Sequence, residues 1–120
     1  MAPKKISAAE GEAAVSSWRT GEASLDQIAT AVRYTLQQLG AEFPGHTLEV
    51  RVPPYGAVQC VEGPRHTRGT PPNVVEMSPE TWLSLATGSV SWADALSTNL
   101  VSASGTRASL DGMVPLLSKT

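Results

Sequence analysis

Arg65, His66 and Arg68 fall within four residues of one another, inside a stretch from Gly63 to Pro72 that holds no acidic residue. Two guanidiniums and an imidazole at that spacing can grip a carboxylate, a phosphate or a CoA moiety, because planar charged donors bind oxyanions through short, charge-assisted hydrogen bonds. Arg51 would join them if it faced the same end of the fold. The competing reading is an exposed loop whose arginines pair with Glu62 and Glu76 at its flanks; surface pairs of that kind are common and weak. An enzymatic use of the same groups would require Arg51, Arg65 and His66 to converge in one pocket.

The single cysteine, Cys60, excludes an intramolecular disulfide and a cysteine-cluster metal site. A Cys60–His66 dyad would need an exposed thiol within reach of the imidazole. Cys60 instead sits in an apolar run with Val58 and Val61, which favours a buried, inert thiol. His46 and His66 are the only histidines, and no third ligand stands at a recognisable spacing, so no metal and no cofactor is expected.

Around these residues the composition is quiet. A chain of 120 residues is the size of one domain. Charged residues make up 17%, the net charge is −2, and only six aromatic side chains (three Trp, two Tyr, one Phe) are present. That balance does not drive a chain onto nucleic acid. No apolar run is long enough to span a bilayer. Lys4 and Lys5 precede Glu10 and Glu12 where the apolar core of an export signal would lie, so a cytoplasmic protein with at most transient membrane contact is expected.

The elements that must position these groups are legible in the patterning. Ser7 and Glu10 mark a first helix with Trp18 as its anchor and Gly21 as its stop. Ser24 and Gln27 open a second, in which Leu25, Ile28, Ala29, Val32, Leu36 and Leu39 share one face and Gly40 ends the run. Leu48, Val50 and Val52 alternate with Glu49 and Arg51, Pro53 to Gly56 breaks the run, and Ala57 to Glu62 returns, which predicts a hairpin. A short strand over Asn73 to Met77 follows the Gly- and Pro-rich stretch. Ser78-Pro79 then starts a helix that Gly88 ends, Ser91 and Asp94 start another, Leu100 to Ser104 forms a strand, and a last helix is predicted to hold Leu110, Met113, Val114 and Leu117. The order reads as α+β, with helices covering one face of a sheet.

The segment Met77 to Gly105 resembles the second half of the sterol carrier protein 2 family. The likeness rests on Trp82 and Leu85 with Gly88 at the helix end, Ala95-Leu96 on the next helix, and Leu100 and Val101 leading a strand that closes on Gly105. Asn99 stands where that family usually has Gly before the strand, and Asn tolerates the left-handed conformation best after Gly. Arg51-Val-Pro-Pro and Pro64-Arg-His-Thr-Arg-Gly resemble a narrower branch of small stand-alone bacterial orthologues. Residues 23–120 would then form the sterol-carrier-like domain, with 1–22 as a helical extension.

The resemblance implies a mixed sheet of four to five strands covered by helices on one face, no catalysis, and an apolar tunnel between sheet and C-terminal helices. It would take a fatty acyl chain, an acyl-CoA or a polycyclic lipid. Candidate linings are Trp82, Leu85, Trp92, Leu96, Met113, Leu116 and Leu117, with Arg51, Arg65, His66 and Arg68 as head-group ligands. Each lining residue reads equally as plain core. The alternative is a filled core in a protein-interaction or dimerisation domain, and a homodimer is compatible with either reading.

Overall fold

The computed structural model describes residues 5–63 and 73–117. The chain opens with α1 (Ala8–Arg19) and α2 (Leu25–Glu42), runs through β1 (Leu48–Val52), β2 (Gly56–Cys60) and β3 (Asn73–Met77), and continues through α3 (Pro79–Thr87), α4 (Trp92–Ser97) and β4 (Val101–Ser104). The four strands form one mixed sheet in the order β2-β1-β3-β4. β1 and β2 are the expected antiparallel hairpin, with Leu48 opposite Cys60 and Val52 opposite Gly56. β3 runs parallel to β1, and β4 returns antiparallel to β3 with Met77 opposite Val101.

Strict alternation divides the sheet into two faces. Leu48, Val50, Val52, Cys60, Val75 and Met77 are buried on one side. On the other, Gln59, Glu76, Ser102 and Ser104 are exposed, and Glu49 and Arg51 are partly so. The helices lie over the first face, giving the two-layer α+β architecture.

α2 is the central helix of this layer. Its start is a reciprocal capping box: the Gln27 amide donates to Ser24 Oγ (3.1 Å) and the Ser24 amide donates to Gln27 Oε1 (2.8 Å). Its buried arc is wider than the sequence stripe, because Ala31, Tyr34 and Thr35 are buried along with Val32, Leu36 and Leu39. α2 touches α1, α3 and β2, so three sides need apolar or self-satisfied side chains. Leu25, first in the predicted stripe, is 73% exposed at the free end of the helix.

Two expectations about helix ends and anchors are corrected. Gly40 does not stop α2; the helix reaches Glu42 and is capped by the Phe43 amide on Leu39 O (2.9 Å). Gly40 is instead a point of close approach to the sheet, since a Cβ there would stand 3.0 Å from Val58 Cγ2. Trp18 is not the main anchor of α1. That helix packs through Gly11, Ala14 and Val15, with the Tyr34 ring lying against Gly11, while Trp18 stays half-exposed and donates from Nε1 to Glu80 Oε1 (3.2 Å).

α3 is buried from Thr81 to Thr87, as expected of a helix packed on more than one side. It ends on Gly88 in the left-handed region (φ 85) with the Ser89 amide donating to Ser84 O (2.8 Å). α4 ends the same way on Asn99 (φ 64), where the Leu100 amide donates to Ala95 O (2.9 Å). Asn here supplies the geometry for which Gly is the usual choice.

The predicted last helix does not form. After Leu110, which is fully buried, the chain makes a turn over 111–113 and runs on without helical structure. Gly112 takes the left-handed conformation (φ 81) and Pro115 has no amide to donate, so helical bonds cannot propagate. The Leu116 and Leu117 amides instead donate to Ala86 O (2.9 and 3.1 Å). That carbonyl is available because it lies in the last turn of α3, where helical acceptors lack internal partners.

Candidate ligand-binding site

The residues expected to line a tunnel come together unevenly. Trp82 and Leu85 are fully buried on α3, and Trp92 is buried at the start of α4. Met113, Leu116 and Leu117 pack as partly buried residues on the same apolar cluster, held there by the strap that residues 110–117 lay against α3. Leu96 is 46% exposed, because α4 offers only Trp92 and Ala95 to the core. Six of the seven therefore belong to one cluster. The Trp82 indole donates to Thr35 Oγ1 (2.7 Å), which ties α3 to α2 at its centre.

The polar candidates are arranged differently. Arg51 lies on the sheet face turned away from the helices and is held by Glu49, through Nε (2.9 Å) and Nη2 (2.8 Å) to the same Oε1. Arg65, His66 and Arg68 lie outside the described residues. The stretch that carries them leaves the sheet after Cys60 and returns at Asn73, which is opposite Leu48, whereas Arg51 lies at the other end of β1 beside Glu76. Asn73 is buried there, donating to Thr47 O (3.1 Å) and accepting from the Arg107 amide (2.9 Å).

Cys60 is fully buried, and burial pushes its thiol up to about 11, opposite to what a nucleophile requires. His46 Nδ1 pairs with Gln59 Oε1 (2.8 Å).

Three pockets of about 570–660 Å³ are formed by described residues. None of the three is lined by the predicted tunnel residues. One lies between Trp18, Arg19 and Glu80; another lies beside β4 between Glu76 and Leu100. The third, about 570 Å³, is the groove between the segment Lys5-Ile6, α2 and β2. Its Arg33 reads in the sequence as part of the polar side of α2. The signal that would have found it is the Tyr55 turn following β1, whose carbonyl receives Arg33 Nε (2.9 Å).

The layered mixed sheet, the Gly88 and Asn99 helix ends and the strand closing at Gly105 define a small α+β domain of the sterol carrier type. The chain belongs to the family described as bacterial SCP ortholog, which it matches over residues 24–116. A search of curated proteins returns no match. The family match leaves α1 and the segment before it outside. Among the described residues, no helix is long and apolar enough to cross a membrane.

Proposed function

We propose that the chain binds or transfers an apolar ligand without catalysis: a fatty acyl chain, an acyl-CoA or a polycyclic lipid. The ligand lies between the sheet and the C-terminal strap. The observation that carries this reading is the strap itself. Met113, Leu116 and Leu117 pack, partly buried, against the hydrophobic core to which Trp82, Leu85 and Trp92 belong, yet the strap's backbone bonds to α3 converge on one carbonyl, Ala86 O. A ligand that displaces the strap replaces partly buried side chains with its own apolar surface, worth about 25 cal/mol per Å² removed from water. Methionine at the contact suits such exchange, because it adapts to irregular gaps. Membership in a sterol-carrier-type family supports the ligand class. In this reading Arg65, His66 and Arg68 hold the head group, and Arg51 remains with Glu49.

The test is titration with cis-parinaric acid and native mass spectrometry of gently purified protein. Saturable binding is expected, with faster association when the chain is shortened after Gly112. A bare chain in the spectrum together with no saturable fluorescence would sink the proposal.

One observation favours a second reading, a dimerisation or interaction domain. Leu96 and Leu100 are 46% and 47% exposed beside β4, an edge strand. Sedimentation velocity decides: a dimer that dissociates in Leu96→Lys/Leu100→Lys supports it, and a monomer at all concentrations removes it.

A further inference from the structure

We propose that the groove between Lys5-Ile6, α2 and β2 is a separate binding site for a small amphipathic anion, an organic carboxylate or sulfonate with an apolar body. Its volume of about 570 Å³ lies within the roughly 300–1000 Å³ typical of small-molecule pockets. Ile6, Leu36, Tyr55 and Val58 make the walls apolar, and Gly56 and Ala57 let the body approach the edge strand. At its rim stand two cations, Lys5 and Arg33, and no carboxylate lines it. The other two pockets each include an acid, Glu80 or Glu76, so the charge signature belongs to this groove.

The groove is also held open before any ligand arrives. Gln37 reaches from α2 to both backbone groups of Ile6: Nε2 donates to Ile6 O and Oε1 accepts from the Ile6 amide, each at 2.9 Å. This pair of hydrogen bonds to a single residue fixes the segment as a wall. Arg33 is fixed likewise, through Nε to Tyr55 O, which leaves its terminal nitrogens without a partner among the described residues. The only ion pair among the described residues is Arg51–Glu49, so neither rim cation is neutralised there. A guanidinium oriented in this way can bind an oxyanion at little cost in rotamer freedom. None of Trp82, Leu85, Trp92, Met113, Leu116 and Leu117 lines the groove.

The probe is 8-anilinonaphthalene-1-sulfonate, compared with N-phenyl-1-naphthylamine, which has nearly the same body and no charge. The anionic dye should bind with blue-shifted emission about tenfold tighter than the neutral one, the loss expected for a missing hydrogen bond to a charged group. Arg33→Gln/Lys5→Gln should weaken only the anionic dye, by about tenfold. Gly56→Phe fills the groove, since a Cβ there points at Leu36 and Arg33, and should abolish binding of both. Shortening the chain after Gly112 should leave the anionic dye bound, which separates this site from the strap cluster. Circular dichroism and melting establish that each variant folds; Lys5 and Arg33 are exposed and Gly56 is partly so. Equal affinity for the two dyes, no binding of the anionic one, its loss on shortening the chain, or wild-type affinity in either groove variant overturns the proposal.

Discussion

Trp82 Nε1 donates to Thr35 Oγ1 at 2.7 Å, and both residues are fully buried. Thr35 passes its own proton to the backbone, with Ala31 O at 2.7 Å and Val32 O at 3.0 Å. The indole therefore has its acceptor on a hydroxyl that is itself satisfied by its helix. Thr35→Val keeps the volume but leaves the indole N–H buried without a partner, which costs about 1–3 kcal/mol. Trp82→Phe leaves Thr35 bonded to its own helix, so its cost comes from lost packing. Urea unfolding of the two variants separates the effects: Thr35→Ser should recover much of the loss in Thr35→Val.

Gly11→Ala should destabilise the fold, although Ala is the better helix former by about 1 kcal/mol. A Cβ at Gly11 would overlap the Tyr34 ring, and Tyr34 is itself buried. Overpacking of this kind costs about 1–3 kcal/mol and outweighs the propensity gain. Pairing Gly11→Ala with Tyr34→Leu should restore part of the stability, read as a non-additive double-mutant cycle in thermal unfolding.

Cys60 sets a pH dependence of definite sign. Burial raises its thiol from 9.0 to about 11, so the unfolded chain gives up this proton first as pH rises. The stability linked to it is complete below the lower value and is lost progressively toward the upper one. Tyr34 acts in the same direction, raised by burial and by the neighbouring Glu12 carboxylate. Urea midpoints should fall between about pH 8 and about pH 10, less steeply in Cys60→Ala. The native thiol should react with a disulfide reagent only as fast as the chain opens.

Asn99 tests the helix-to-strand corner. Asn99→Gly should be neutral or stabilising, because Gly takes φ 64 freely. Asn99→Val should cost about 1–2 kcal/mol, the penalty for a left-handed L-residue without compensation. Melting temperatures of the two variants check the order.

What could be read from the sequence was whatever local chemistry decides. The Ser24–Gln27 box, the Ser78-Pro79 start, the alternation of β1 and the turn at Pro53 are settled within a few residues, and each was legible. Gly40 was misread because a glycine that stops a helix and one that lets a helix touch a sheet look identical until Val58 is placed. Leu25 fits the helical period yet lies beyond the layer it was expected to face. The last helix failed where its own residues, Gly112 and Pro115, competed with a periodic apolar pattern. The carbonyl at Ala86 that took the Leu116 amide instead is 30 residues away in sequence. The apolar residues expected to line a ligand site were visible as residue types; the groove was not, because Lys5, Arg33 and Tyr55 meet only through tertiary packing.

Among the described residues, all four helices begin on a serine: Ser7, Ser24, Ser78 and Ser91 each accept the amide three residues on. Because hydroxyls cap these helices, neither added salt nor mild acid removes the acceptor. With Arg51–Glu49 as the one ion pair among the described residues, the described elements lean on hydroxyl caps and apolar packing more than on charge pairs. The melting temperature should stay level from low to moderate ionic strength and from neutral to weakly acidic buffer. Recognition of a charged ligand can then be tuned by surface substitutions while the framework that presents them keeps its stability.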